Sequence, residues 1–330
     1  MISIVVPAYN EEEGIGLLYE RVTQAADNWG EDYEIIAVDD GSRDGTLRIL
    51  SAIAAVDSRL KVVSFTRNFG HQAAVTAGLI HASGGIVAII DADLQDPPEE
   101  LGKFLNKCRE GYDVVYAIRS KRKESLPKRA AYHVYYRLLR FLANIDIPVD
   151  AGDFCVMSRR ALDTLNALPE RNRFVRGLRT WIGYRQIGIA YERHARAAGT
   201  PKYTLRGLFN LALDGVINFS YKPLRVLGVT GMAIGVFALI AAVAFFVQSV
   251  TNTTVFGYNP RDAPGWTSTI LAILSLSAIQ LFGLGIMGEY LGRLFEETKR
   301  RPPYLIAEII NLTPRRVVYP GSAGDMEPGP

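Results

Sequence analysis

The sequence predicts an α/β fold with a mostly parallel, Rossmann-like sheet, followed by two C-terminal transmembrane helices. Five short apolar segments rich in β-branched residues recur between residues 2 and 117, and each is followed by a segment that favours helix. This alternation is typical of a doubly wound parallel sheet. Two long stretches without charged residues occur later in the chain. Stretches of that length are typical of membrane-spanning helices.

The predicted strands are residues 2–6, 33–38, 61–65, 86–90 and 113–117. Ligands of such sheets bind beyond the carboxyl ends of the strands, where the connecting loops meet. Polar or charged residues follow all five strands, although the strands themselves are apolar. The residues that directly follow each strand are therefore the candidate functional residues.

The common nucleotide-binding motifs do not fit this sequence. Gly14 and Gly16 form a Gly-x-Gly pair, but Tyr19 occupies the place of the third glycine, and the pair lies too far beyond the first strand. A dinucleotide site of the Rossmann type is therefore disfavoured. The sequence also has no Gly-Lys-Ser/Thr phosphate loop. An anionic ligand held through a metal ion agrees better with these residues.

Two carboxylates, Asp91 and Asp93, follow the fourth predicted strand, and Gln95 comes two residues later. Residues i and i+2 of an extended chain share one face, so both carboxylates can approach one cation. At roughly 4 Å in an effective dielectric near 20, two carboxylates repel by about 4 kcal/mol, which a bound Mg²⁺ or Mn²⁺ would relieve. Because Asp-x-Asp is a short motif, an acidic turn without a ligand is the alternative.

Four segments taken together resemble the family-2 inverting glycosyltransferases. Within that family the sequence is similar to the polyprenyl-phosphate glycosyltransferases, the bacterial relatives of dolichol-phosphate mannose synthase. The segments are residues 5–12, 38–46, 67–70 and 91–99, and the resemblance extends over nearly the whole chain. It implies a GT-A fold and the transfer of glucose from UDP-glucose to a polyprenyl phosphate, with inversion and with Mg²⁺ or Mn²⁺ as cofactor.

The resemblance also implies roles for individual residues. A cation on the diphosphate neutralises charge that develops on the leaving group, and Asp91, Asp93 and Gln95 would hold it. For Asp40, which would accept a hydrogen bond from uracil, a helix cap or turn is the alternative. Asp153 corresponds to a position suspected as a base in this family, and it would act as a base or position the sugar. The nucleotide-sugar site would comprise Pro7, Tyr9, Asn10, Glu11, Asp40, Asp91 and Lys202.

The acceptor phosphate is predicted to bind arginines that follow the fifth strand. Arg119 and Arg122 are the first candidates because they lie at the predicted site and open a basic segment, and Arg129 is a third. The alternative is that these are solvated surface residues. The acceptor phosphate is already anionic, so its attack does not strictly need a protein base. Catalytic residues in this prediction are Asp93, Asp153, Arg119 and Arg122.

The stretches without charge predict two membrane spans. No charged residue lies between Arg225 and Arg261, and the 21 positions from 227 to 247 are mostly apolar. As a helix they extend about 32 Å, enough to cross a hydrocarbon core of roughly 30 Å. A second uncharged stretch covers residues 263–288. A pair of buried core helices is the alternative. Lys and Arg flank the outer ends of both spans, which predicts cytosolic termini. The resemblance to bacterial enzymes implies that the membrane is a bacterial plasma membrane.

The predicted organisation therefore has six parts: a cytosolic catalytic domain (1–202), an interfacial amphipathic region (203–226), a first transmembrane helix (227–249), an extracytoplasmic loop (250–267), a second transmembrane helix (268–292) and a cytosolic tail (293–330). Basic amphipathic segments at 127–145 and 203–221 are predicted to contact membrane lipids. The net charge of only +3 disfavours nucleic acid as a partner. A strand-like run at 304–310 is predicted to pair with the sheet of another copy in a homo-oligomer.

Two other functions remain open from the sequence. The same reaction with another donor, such as GDP-mannose or a UDP-linked modified arabinose, differs only in the sugar. A non-catalytic membrane scaffold belongs to a different class of protein. The intact set of Asp91, Asp93 and Gln95 disfavours the scaffold.

Overall fold

The computed structural model describes residues 1–119, 151–170, 173–192, 266–299 and 301–312, with isolated positions between 224 and 251. The described residues belong to two compact units. The first unit contains the β-sheet, and the second contains a long helix, Trp266–Thr298.

The elements follow one another in a regular alternation at the start of the chain. The strands in the described residues are β1 (Ile2–Ala8), β2 (Tyr33–Asp39), β3 (Leu60–Phe65), β4 (Ile86–Ile89), β5 (Val114–Arg119), β6 (Ala151–Ser158), β7 (Gln186–Tyr191) and β8 (Ile306–Ile310). The helices are α1 (Ile15–Asp27), α2 (Thr46–Ala54), α3 (His71–His81), a 3₁₀ turn (Pro98–Glu100), α4 (Leu101–Arg109), α5 (Arg159–Ala167), α6 (Val175–Trp181) and α7 (Trp266–Thr298).

The strands form one mixed sheet in the order β7-β5-β6-β4-β1-β2-β3-β8. Strands β4, β1, β2 and β3 are parallel neighbours, and β5 is parallel to β7. Strand β6 is antiparallel and lies between β4 and β5. All five strands predicted from the sequence are present, so the α/β fold class is confirmed. The antiparallel strands β6 and β8 make the sheet more mixed than the alternation alone indicates.

The apolar strands are buried on both faces because helices cover the sheet. Every residue of β1 and of β2 is buried. On α1 the buried residues Ile15, Leu18 and Val22 recur at helical spacing, so one face of the helix packs on the core. Continuous apolar strands of this kind are expected where both faces of a parallel sheet are covered.

Helix α3 approaches the sheet closely at Gly78. A Cβ atom added there would lie 2.2 Å from Cγ1 of Val5 on β1. No larger residue fits without movement of the helix or the strand. This close approach fixes the position of α3, whose first residues His71 and Gln72 reach the carboxyl edge of the sheet.

Strand β8 pairs with β3 of its own chain, in antiparallel register. The ring of Tyr304 stacks on Phe65 at 4.7 Å, and Asn311 donates to the carbonyl oxygens of Ala54 and Leu60. The run therefore pairs within its own chain, where β8 satisfies backbone groups at the edge of β3. Because β8 is itself the last strand of the sheet, pairing of its outer edge with another copy stays a prediction.

Among the residues that the structure describes, no helix has both the length and the apolar composition needed to cross a membrane. The two predicted spans, 227–249 and 268–292, stay predictions. The predicted interfacial segments at 127–145 and 203–221 lie outside the described residues.

Candidate active site

The site lies at the edge of the sheet where β4 ends and the antiparallel strand β6 begins. Strand β4 ends two residues before Asp91, and its residue Ile89 pairs with Cys155 of antiparallel β6. Continued two residues further, this register places Asp91 opposite Asp153. Two carboxylates that are distant in sequence therefore meet at the carboxyl end of β4.

His71, the first residue of α3, lies between these two carboxylates. Its Nε2 atom is 3.3 Å from Oδ2 of Asp153 and 3.6 Å from Oδ1 of Asp91. Burial by itself lowers the pKa of His71, but the hydrogen bond to Asp153 and the negative charges of Asp91 and Asp153 raise this pKa to about 9. The imidazole is therefore protonated at neutral pH, as an internal cation in an acidic site.

Asp91 has properties that suit a cation ligand. Within the described residues, its Oδ1 atom is buried and has no hydrogen-bond partner. Burial raises the pKa of Asp91 to about 6, and the neighbouring carboxylates of Asp153, Asp96 and Asp93 add to this increase, whereas His71 opposes it. A bound divalent cation would stabilise the ionised form of this crowded carboxylate.

Asp93 is held in a tight turn after Asp91. The backbone N–H of Gln95 donates to Oδ1 of Asp93 at 3.2 Å, and Leu94 between them has φ of 57°. This left-handed conformation is unfavourable for leucine. The side chain of Leu94 is 5% exposed and belongs to the hydrophobic core, which holds the turn in place. Asp93 and Gln95 are left half-buried at the edge of the sheet.

The described residues contain no group of three or more His, Cys, Asp or Glu side chains arranged to hold a metal ion. Mg²⁺ usually binds through one or two carboxylates together with substrate phosphates, rather than in a cage made of protein alone. Asp91, whose Oδ1 atom has no hydrogen bond within the described residues, and Asp93 fit that kind of shared site. The residues are therefore suited to a cation that a diphosphate would bring with it.

Asp153 is nine-tenths buried and is contacted by three donors at one oxygen. Its Oδ2 atom lies 3.3 Å from His71 Nε2, 3.4 Å from Gln72 Nε2 and 3.3 Å from Arg176 Nη2. Burial raises the pKa of Asp153, but Arg176, His71 and Arg179 outweigh burial and hold this pKa well below its usual range. Asp153 is therefore ionised at neutral pH.

Asp40 organises the loop between β3 and α3. Its carboxylate is 2% exposed and accepts hydrogen bonds from the backbone N–H groups of Phe69 (2.7 Å) and Gly70 (3.0 Å) and from the side-chain amide of Asn68 (3.0 Å). These bonds engage both carboxylate oxygens. Asp40 thus holds a distant loop, a role that differs from the helix cap or turn given as the alternative, and its contact with a base stays a prediction. The neighbouring Asp39 forms a turn, with Ser42 N–H donating to its Oδ1 atom.

The loops after β1 and β2 are joined to each other by hydrogen bonds. Asn10 N–H donates to Ser42 Oγ at 3.0 Å, and Arg43 N–H donates back to Asn10 Oδ1 at 2.9 Å. Glu11 N–H donates to Thr46 Oγ1 at 2.9 Å. These contacts hold Asn10 and Glu11 at the carboxyl edge of the sheet, where the nucleotide was predicted to bind.

Gly41 permits the β2–α2 loop to lie against the β3–α3 loop. Its φ is +66°, and an added Cβ atom would lie 2.4 Å from the backbone carbon of Arg67. Because of the positive φ and the short distance, a residue with a side chain would fit at position 41 only if the backbone moved. The loops that follow β1, β2 and β3 therefore form one connected rim.

The remaining residues predicted for the nucleotide and acceptor sites lie in or next to β1 and β5 or outside the described residues. Pro7 is buried inside β1, and Tyr9 is half-buried directly after it. Arg119 is the last residue of β5 and lies at the same edge of the sheet as Asp91, because β5 and β4 both run antiparallel to β6. Arg122, Arg129 and Lys202 lie outside the described residues.

Three residues of the site were not among the predicted site residues: His71, Gln72 and Arg176. The available signal for His71 and Gln72 was their position directly after the β3 loop, at the carboxyl end of a predicted strand. Arg176 follows no predicted strand, and its approach to Asp153 depends on how α6 packs.

Comparison with known proteins identifies the class of this protein. Residues 3–165 match the family described as glycosyl transferase family 2. The chain is also 41% identical to the uncharacterized glycosyltransferase YkcC of Bacillus subtilis, over 96% of each protein. The chain therefore belongs to glycosyl transferase family 2, which confirms the family that the motifs predicted.

Two further relatives have more specific names. The chain is 39% identical to the prophage bactoprenol glucosyl transferase homolog of Escherichia coli K12, over 93% of this chain and 99% of that protein. It is 40% identical to the bactoprenol glucosyl transferase of Shigella phage SfX, over 92% of this chain and 98% of that protein. Among solved structures, glucosyl-3-phosphoglycerate synthase of Mycobacterium tuberculosis matches with a TM-score of 0.45 and 22% identity, over 66% of this chain and 77% of that chain.

Proposed function

We propose that this protein transfers glucose from UDP-glucose to a polyprenyl phosphate, with inversion at the anomeric carbon and with a divalent cation. The observation that carries the proposal is the acidic site at the end of β4, in which Asp91 has a buried oxygen without a hydrogen-bond partner among the described residues. Full-length similarity to bactoprenol glucosyl transferases supports the choice of acceptor and sugar.

The reaction exchanges one bond at the anomeric carbon for another. An oxygen of the acceptor phosphate forms a bond to this carbon, and the bond to the diphosphate breaks, so that its electron pair leaves with UDP. Asp91 and Asp93 would hold Mg²⁺ or Mn²⁺, which supplies neutralisation of charge on the departing diphosphate. Gln95 is the proposed third ligand from the protein.

The chain's own residues would mainly position two anionic reactants. The acceptor phosphate is already anionic, so no proton has to be removed before it attacks. Arg119, at the end of β5, would attract this phosphate, with Arg122 and Arg129 as further proposed ligands. Bringing the reactants together in the correct orientation is a large part of catalysis in such reactions.

The membrane location of the acceptor agrees with the charge pattern of the chain. We propose spans at 227–249 and 268–292, with the catalytic domain and both termini in the cytosol. The uncharged stretches between Arg225 and Arg261 and at 263–288 support this arrangement. The lipid acceptor would then lie in the same membrane leaflet that the catalytic domain faces.

The test is transfer of label into lipid by the purified full-length protein. We would incubate it with undecaprenyl phosphate, Mg²⁺ and radiolabelled UDP-glucose, and measure label in the organic phase. Asp93→Ala and a chelator should each abolish the product. Asp163→Ala is the matched control, because Asp163 is an exposed carboxylate on α5. If label enters lipid only from GDP-mannose or from a UDP-linked modified arabinose, the reaction stands and the donor assignment changes. If no donor gives labelled lipid, the result favours the non-catalytic scaffold.

A further inference from the structure

Among the residues that the structure describes, hydrogen-bond donors contact one oxygen of the Asp153 carboxylate and none contacts the other. His71, Gln72 and Arg176 all contact Oδ2, at 3.3–3.4 Å. The Oδ1 atom is buried and has no hydrogen-bond partner within the described residues. A buried, ionised oxygen without a donor is unfavourable, and in native structures such atoms often belong to functional sites.

Gln72 has a fixed orientation in this arrangement. Its Oε1 atom accepts a hydrogen bond from the backbone N–H of Val175 at 2.9 Å. A glutamine amide has one oxygen and one NH₂ group, so this bond directs the NH₂ group toward Asp153. Val175 is the first residue of α6 and is followed by Arg176. Gln72 therefore ties down the start of the same short helix that carries the second donor.

We propose that Gln72, together with Arg176, is a positioning residue that turns the Asp153 carboxylate so that Oδ1 accepts a hydrogen bond from a hydroxyl group of the transferred sugar. This inference rests on the proposed function and adds a specific contact to it. The ligand class is a hexose with a free hydroxyl group near its anomeric carbon. Asp153 is thereby assigned to binding the sugar, and not to removing a proton.

Two properties of the site favour sugar binding over base catalysis. Three groups, among them the Arg176 guanidinium, already contact Oδ2, so this oxygen of Asp153 has little room to take a proton from the acceptor. The acceptor phosphate needs no base, as argued above. A fixed carboxylate beside the anomeric carbon also stabilises the positive charge that develops there as the bond to the diphosphate breaks.

Two substitutions separate positioning from mere support of α6. Gln72→Glu keeps an oxygen that can accept the Val175 N–H bond, but it places a second carboxylate beside Asp153. Gln72→Leu removes both bonds at nearly constant volume. Gln24→Leu, on an exposed position of α1, is the matched control. Each variant is assayed for kcat in the lipid-transfer reaction and for binding of UDP by calorimetry.

We expect both Gln72 variants to lower kcat by about 10- to 100-fold. Binding of UDP should stay within about twofold of the unmodified protein, because Gln72 is assigned to the sugar and not to the nucleotide. The Gln24 control should match the unmodified protein in both measurements.

Three results would overturn the inference. Normal kcat in Gln72→Glu would mean that Gln72 only supports α6. Loss of UDP binding together with activity would mean that the nucleotide pocket as a whole is disturbed. If the unmodified protein transfers no sugar to lipid, the proposed function itself fails, and this contact fails with it.

Discussion

Replacement of Asp40 by asparagine tests whether this residue holds a loop or binds the base. In the structure its two oxygens accept bonds from Phe69 N–H, Gly70 N–H and the Asn68 amide. Asparagine keeps one acceptor oxygen and replaces the other with an NH₂ group that faces other donors. The loop that leads into α3, and hence to His71, would lose part of its attachment.

The size of the effect follows from those bonds. Hydrogen bonds to a charged group contribute about 1.5–3 kcal/mol each, and two of them face the oxygen that is replaced. Burial and the nearby charge of Asp39 raise the pKa of Asp40, so burying this carboxylate carries a cost that offsets part of the gain. We therefore expect Asp40→Asn to lower the free energy of unfolding by about 2–4 kcal/mol.

The assay is urea unfolding of the full-length protein followed by tryptophan fluorescence, with Asp163→Asn as control. Asp163 lies on the surface of α5 and pairs only with Arg159 in the described residues, so its substitution should change the free energy of unfolding by less than about 0.5 kcal/mol. An Asp40→Asn variant with unchanged stability but a raised KM for the donor would refute the loop-holding role. It would support direct contact with the base.

Three further predictions concern packing, acid stability and metal binding. Gly78→Ala should lower the free energy of unfolding by about 1–3 kcal/mol, because the added Cβ atom meets Val5. The control Gly16→Ala has open space around the added atom and should change the free energy of unfolding by at most about 1 kcal/mol. Chemical denaturation measures both variants. Burial raises the pKa of Glu34, but bonds from Lys61, Ser3 and Ser83 lower this pKa from 4.5 to about 2. Ionised Glu34 therefore contributes about 3 kcal/mol above pH 4.5, and this contribution is lost as the pH falls from 4.5 through 2. At pH 3, which lies between these two values, about 2 kcal/mol of the contribution is lost, so Glu34→Gln should reduce the difference between the free energies of unfolding at pH 7 and at pH 3 by about that amount. Asp91→Asn should weaken Mn²⁺ binding in the presence of UDP at least about tenfold, and in the unmodified protein this affinity should decrease as the pH falls below about 6, because a proton then competes for Asp91. Electron paramagnetic resonance of free Mn²⁺ measures both, and affinity independent of Asp91 and of pH would contradict the assignment.

The candidate site was only partly predictable from the chain. Asp91, Asp93 and Gln95 were found because an apolar strand followed by polar residues is a local signal, and the carboxyl ends of parallel strands share one edge. The partners of Asp153 gave no such signal. His71 and Arg176 reach it from α3 and α6, and their approach depends on close packing at Gly78 and on the Gln72 bond to Val175.

By itself, the sequence determined the five predicted strands, the family and the location of the acidic turn, because β-branched runs, turn residues and short motifs are local properties of the chain. The tertiary structure decided the pairings between distant segments. It placed β6 between β4 and β5, so that Asp153 meets Asp91, and it placed β8 beside β3 of the same chain. It also brought the Asp40 carboxylate into hydrogen bonds with the loop between β3 and α3, a contact that the residues next to Asp40 in the sequence do not indicate. These outcomes depend on which edges and oxygens remain unsatisfied after the sheet is packed, and that is a property of the whole fold.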